Sequence, residues 1–211
     1  MLTAAERQLL THKTITYDNL TLSSDTANIR FGDYYGVGDN SLFTNTTFKK
    51  VGDNPNFHTI VFDGGYWSDG HIIRDAIFEA GTAYNDVYWR RTGSYSAYTV
   101  EWTLSLAKQD LYATVEIFDL NGELVFNSPF SDTTMLVPLK QSEIRPQGYA
   151  EHNGSGDSHA HEELMHTPHR VVIKDSAGEV ISDSCIMMDA KKALTSETAL
   201  ECQPVVIDTV E

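Results

Sequence analysis

The sequence predicts a mainly β protein, an antiparallel β-sandwich or jelly-roll-like domain with one to three short peripheral helices. Three observations predict it. Val100, Trp102, Leu104 and Leu106 alternate with polar residues, the period of a half-buried strand. Two stretches share one hairpin pattern, Val115-x-Ile117-x-Asp119-x-x-Gly122-Glu123 and Val171-x-Ile173-x-Asp175-x-x-Gly178-Glu179, with Asp to cap the turn and Gly for its left-handed position. Turn residues recur at short intervals along the whole chain, the punctuation of an all-β fold. At 211 residues, 41% hydrophobic and 21% charged, the chain has the material for one core, so residues 1–211 are read as a single β-rich domain.

Residues 1–30 read as an N-terminal arm with a short helix over Met1–Leu10, where Thr3 and Glu6 have capping-box spacing. Residues 31–139 form an aromatic-rich β region. Val37-Gly-Asp-Asn and Val51-Gly-Asp-Asn, each followed by Phe, predict two turns at opposite ends of a sheet, with the segment between them extended. Asp39, Asn40, Asp53 and Asn54 are then turn formers rather than calcium ligands. Asn56–Phe62 predicts a strand. Asp69–Ala80 fits a helix with Ile73, Ile77 and Ala80 on one face, and a strand nearly as well. Met135–Val137 adds a short strand. Residues 140–168 lack apolar periodicity and read as a His/acidic loop. Residues 169–211 supply the second hairpin, a helix over Asp189–Leu200 weakened by its threonines and serine, and a strand over Pro204–Val210. Cys185 and Cys202 form no framework, and two free buried thiols is the preferred reading.

Charge narrows the partners. Fifteen Lys+Arg against 30 Asp+Glu give a formal net charge of −15, which repels nucleic acid and anionic membranes. The N-terminus lacks the basic start and apolar run of a signal peptide, and no stretch reaches the roughly 18 apolar residues of a membrane span. The expected setting is the cytoplasm or a virion. The sequons at Asn19, Asn45 and Asn153 then read as chance matches.

Two concentrations of residues are candidates for chemistry. Most aromatics, all three tryptophans included, lie between Phe31 and Trp102, beside carboxylates and amides. Flat rings next to hydrogen-bonding groups suit a sugar, which makes Tyr66, Trp67, Asp69, Tyr88 and Trp89 the expected ligand-binding residues. Asp63, Asp69, Asp75 and Glu79 read as surface carboxylates, not a catalytic acid pair. The second concentration is His152, His159, His161, His166 and His169 with Glu162 and Glu163. Imidazole and carboxylate ligate divalent metals, so His159, His161, Glu163, His166 and His169 are the candidate ligands for zinc, nickel or copper. Their spacing matches no His-Glu-x-x-His motif, and a solvated loop explains them as well. There is no nucleophile elbow, P-loop, Rossmann fingerprint or Cys-x-x-Cys.

The function these features predict is a non-catalytic recognition or assembly protein. Its partner is a glycan or a protein, it is read as part of a phage or virion or of a homo-oligomer, and the alternative is a small divalent-metal-dependent enzyme.

Overall fold

Asn19, Asn45 and Asp75 decide the architecture of the first half. Each has a left-handed backbone, with φ of 53°, 49° and 51°. A type I′ hairpin turn takes two such residues in succession, whereas each of these stands alone between two strands. In the computed structural model, which describes residues 9–11, 15–31, 40–63, 70–90, 96–147, 160–195 and 197–202, these bends join strands of different sheets. β1 (Leu9–Thr11), β2 (Thr16–Asp18) and β3 (Thr21–Ser24) form one coil. β4 (Ala27–Phe31), β5 (Leu42–Thr44) and β6 (Thr47–Lys50) form the next, followed by β7 (His58–Asp63), β8 (His71–Arg74) and β9 (Ile77–Phe78). β10 (Val87–Arg90) and β11 (Tyr98–Ala107) begin a fourth.

Successive coils pair in parallel. Sheet A has the order β3-β6-β9 and sheet B the order β1-β4-β7-β10. In sheet C, β2, β5, β8 and β11 are parallel neighbours, followed by β14 (Thr134–Pro146) and β15 (His161–Met165). The corner amides tie each coil to the next: Asn19 N–H donates to Thr44 O, Asn45 N–H to Arg74 O and Asp75 N–H to Glu101 O, all at 3.0–3.1 Å. The fold is therefore all-β, with stacked parallel sheets like those of a β-helix, and the antiparallel expectation fails for this half. Alternation specifies a strand and its buried face but carries no information about the direction of its partner.

Parallel strands in register lie about 4.8 Å apart, so like positions stack. Phe31, Phe62 and Trp89 align on sheet B, with ring centroids 4.9 and 4.5 Å apart. Ile29, Ile60 and Val87 form the neighbouring column. Tyr17, Phe43, Ile73 and Val100 align on sheet C, and Leu22, Phe48 and Phe78 on sheet A. Buried Asn28 donates to Leu22 O at 2.8 Å and Lys49 O at 3.0 Å, pairing two carbonyls. The corner also accounts for two sequons. Asn19 and Asn45 supply the left-handed residue, and Thr21 and Thr47 open the strands that follow.

The chain divides into two compact units, Met1–Glu101 with Ser142–Leu164 and Trp102–Gln141 with Met165–Glu211. The second contains β12 (Thr114–Phe118), β13 (Leu124–Pro129), β16 (His169–Lys174), β17 (Val180–Ile186) and β18 (Lys192–Ala193). Here the antiparallel prediction holds, with sheet order β13-β12-β16-β17. Val115 faces Ile173 and Ile117 faces Val171, so the two hairpins meet in the manner of a local two-fold. Their turns are alike. Asp119 Oδ1 accepts from the Asn121 and Glu123 amides, and Asp175 Oδ1 from those of Ala177 and Glu179, at 2.9 Å throughout. Gly122 and Gly178 have φ of +80° and +88°.

Several expectations need correction. Among the described residues there is no helix. Residues 70–80 are strands around the Asp75 bend: Ile73 and Ala76 are buried, while Ile77, assigned to the helical face, is 60% exposed. Asp189–Leu200 holds β18 and a turn, because Thr198 Oγ1 donates to Ala193 O and accepts from the Thr195 amide, taking up groups a helix would need. Leu9–Thr11 is strand, and the rest of the proposed N-terminal helix lies outside the described residues, as does Pro204–Val210. The described part of the segment between the two Val-Gly-Asp-Asn motifs bends at Asn45 between sheets C and A rather than running straight, and residues 37–39 of the first motif lie outside the described residues. Within 140–168, β14 and β15 replace parts of the predicted loop. Cys185 and Cys202 form a disulfide with Cα atoms 5.0 Å apart and a sequence separation of 17. A loop of that size lowers unfolded-chain entropy by about 3 kcal/mol.

Phe62→Ala removes the middle ring of the sheet B column and is expected to destabilise the first unit by about 3–5 kcal/mol in urea denaturation. In the second unit, Asp119→Ala is expected to cost about 2–3 kcal/mol and Asp175→Ala about 1, because only Asp119 is buried. Equal losses would show that the turn alone, and not burial, sets the value of the aspartate.

Candidate functional site

On sheet B the residues that alternate with the core columns face outward. The row in register is Arg30, Val61 and Tyr88, and the next pair is Asp63 and Arg90. Val61 is buried beneath its neighbours, and Tyr88 is half-buried. The Tyr88 ring stacks on His58, with centroids 5.3 Å apart and planes inclined by 24°. His58 Nδ1 lies 2.9 Å from Asp86 Oδ1. Asp86 Oδ2 accepts from the Thr59 amide at 2.7 Å and from its hydroxyl at 2.9 Å. The aromatic ring is thus held from beneath by a hydrogen-bonded support.

At the other end of the face, Asp63 Oδ2 accepts from Arg30 Nη1 at 2.8 Å and from Arg90 Nη1 at 3.4 Å. Two guanidiniums share one carboxylate oxygen. Arg30 Nε is buried and has no partner among the described residues. Arg90 is the more open of the two, its side chain 41% exposed. The arrangement offers a flat ring, a carboxylate and unsaturated guanidinium donors along one strand face, within reach of a ligand of a few sugar units. Asp63 is an acceptor shared by two guanidiniums, and Asp86 accepts from Thr59 twice and lies against His58.

The other predicted residues fall elsewhere. Trp89 is fully buried in the core column against Phe62, so it supports the face from inside rather than forming it. Tyr66, Trp67 and Asp69 lie outside the described residues, in the segment that follows Asp63. Arg30, His58, Asp86 and Arg90 did not stand out in the sequence, and Asp63 stood out only as a carboxylate, because their proximity comes from coil register. Of the remaining carboxylates and amides, Asp75 forms a corner, Glu79 pairs with Lys49 at 3.3 Å, and Asn54 Oδ1 accepts from the Asn56 amide.

The histidine cluster is divided between the two units. His161 and Glu163 are half-buried in β15, and Glu163 Oε1 is buried without a partner among the described residues. In the second unit, His166 Nδ1 is 3.4 Å from Asp119 Oδ2. His169 is 1% exposed, with Nδ1 unpartnered among the described residues. His152 and His159 lie outside those residues, and among them no three His, Cys, Asp or Glu side chains converge as a metal-binding group. The second unit also has a groove of about 770 Å³, walled by Phe118, Leu120, Pro168, Leu200 and the disulfide. Arg170 and Asp183 in its lining are closed on each other by two hydrogen bonds of 2.8 and 2.6 Å.

Comparison with protein-family models, curated protein sequences and solved structures found no match to the chain.

Burial sets the titration of two histidines. It pushes His71, stacked at 3.8 Å on Phe31, down to about 3. It pushes His169 down to about 4, with the Asp119 carboxylate opposing and His166 adding to the fall. In the unfolded chain both titrate near 6.5, so below that pH the unfolded state binds more protons. Their contribution is complete above about pH 6.5 and declines as pH falls toward the folded values. Asp119 acts in the same direction, because hydrogen bonds from Glu123, His166 and Asn121 outweigh burial and hold its carboxyl below the usual range. Urea denaturation is expected to show each unit losing about 2 kcal/mol per buried histidine between about pH 7 and pH 5. His71→Phe should flatten that slope for the first unit, and a slope unchanged by the substitution would assign the pH dependence to other groups.

Proposed function

We propose that the protein is a non-catalytic recognition or assembly protein that binds a glycan on the outer face of sheet B. The observation that carries this reading is the Tyr88 ring, stacked on His58, with Arg90 on its own strand, Asp86 just before that strand, and Asp63 and Arg30 on the adjacent coils. A pyranose presents an apolar C–H face and a rim of hydroxyls. The ring meets the first, and the guanidiniums and carboxylate meet the second. Rigidity supports the same reading, since side chains on registered strands lose little freedom when a ligand binds. β7 and β10 also end in register, at Asp63 and Arg90, and β4 ends one position earlier, at Phe31 beside Phe62. The segment after Asp63 contains Tyr66 and Trp67, expected from sequence to bind. A structural or receptor-binding component of a phage or virus is the setting in which such a face serves attachment.

A glycan array probed with the purified chain tests this reading. Tyr88→Ala is expected to reduce the signal at least about tenfold, the loss of roughly 1.4 kcal/mol of ring contact, while leaving the denaturation midpoint within error. Leu111→Ala, an exposed position in the second unit, is the control. A folded protein that gives a blank array would remove the glycan from the proposal, and capture of a protein partner lost with Tyr88→Ala would reassign the face.

A further inference from the structure

The ion pairs that link neighbouring coils differ in stoichiometry. On sheet C, Arg74 donates from Nε and Nη2 to Glu101 Oε2 at 2.9 and 2.7 Å, one cation to one anion. On sheet A, Lys49 meets Glu79 at 3.3 Å, again one to one. Among the described residues, sheet B has two guanidiniums on the single carboxylate of Asp63. Surface ion pairs contribute only about 0–1 kcal/mol each, so coil cohesion does not account for the second cation. In a chain with a net charge of −15, a general solubilising surface would place excess acid, not excess base, at such a position. Arg30 Nε is also buried without a partner among the described residues. Asp86, a second carboxylate among the described residues, precedes β10 at its opposite end and is occupied by His58 and Thr59.

From this we infer that the glycan recognised on sheet B is an acidic one, a uronate-containing oligosaccharide whose carboxylate is received by Arg30 and Arg90 while its sugar ring lies on Tyr88. The inference rests on the glycan reading of that face. Guanidinium suits the task because its planar fork matches a carboxylate with two parallel hydrogen bonds, a geometry an ammonium lacks. Arg90 is the primary contact, since it makes one long bond to Asp63 and is the more exposed. Arg30 makes the shorter bond to Asp63, 2.8 Å, and is the less exposed, so it is the secondary contact.

Isothermal titration with trigalacturonate and with uncharged maltotriose, on the intact chain, tests the inference. Trigalacturonate is expected to bind at least about tenfold more tightly. The preference should shrink to within about threefold in Arg90→Ala and recover only in part in Arg90→Lys, which restores charge without the fork. It should also shrink when ionic strength rises from about 0.01 M to about 1 M, because the Debye length falls from about 30 Å to about 3 Å. Arg90 is exposed enough for both variants to fold, and circular dichroism checks that they do. Equal affinity for the two sugars, or a preference that survives Arg90→Ala, overturns the acidic assignment while leaving glycan recognition in place. Tighter binding of a sulfated oligosaccharide than of trigalacturonate overturns the carboxylate assignment in favour of sulfate. Binding of neither sugar by the wild-type chain, together with a blank array, overturns the glycan reading and this inference together.

Discussion

In-register parallel stacking is the constraint on which the first unit depends. Once each coil returns to the same position one strand spacing higher, every inward residue faces its counterpart on the next coil. Flat rings such as Phe31, Phe62 and Trp89 can then stack at 4.5–4.9 Å, close to the strand spacing itself. Core and ladder impose the same repeat distance, and each reinforces the other. The corners complete the arrangement, since Asn19, Asn45 and Asp75 bend the chain and donate their amides to the next coil. The outward columns inherit that register without having to create it, which is how Arg30, Asp63 and Arg90 come together from distant parts of the sequence.

The second unit solves the same problem of strand order by another route. Its two hairpins carry one turn design, and they meet through β12 and β16 with equivalent residues exchanged. The turns nevertheless diverge in their surroundings. Asp175 serves its own hairpin, whereas Asp119 is buried and also meets His166. The disulfide fixes the strap at Leu200–Cys202 to β17, where the Leu200 amide already donates to Cys185 O at 2.7 Å. Covalent and hydrogen bonds therefore hold the same short segment against an otherwise open sheet edge.

The functional reading follows from which groups the fold leaves unsatisfied. In the one-to-one pairs of sheets A and C the charges close on each other. On sheet B, among the described residues, two cations share one carboxylate, on the face that also carries the Tyr88 ring. The histidines, which drew attention by their density, are distributed differently: His169 is sealed in the second unit as a neutral ring, while His161 and Glu163 belong to the first.

What the sequence by itself determined was local. Alternation at Val100–Leu106 located a strand, and the Asp-x-x-Gly-Glu pattern located two hairpins down to their hydrogen bonds. Gly122 and Gly178 marked positions of positive φ, whereas Asn19 and Asn45 stood out only as sequons. These features were legible because a strand's buried face and a turn's dihedral angles depend on neighbours a few residues away. Tertiary structure alone decided strand direction, coil register, the pairing of Cys185 with Cys202 and the assembly of Arg30, Asp63, Tyr88 and Arg90 on one face. Each of these joins residues far apart in the chain, and alternation reads the same whichever way the partner strand runs. The aromatic concentration was visible as composition, but burial turned Trp89 into core and left Tyr88 outside. That division turns on one residue of register, because successive side chains on a strand point to opposite faces.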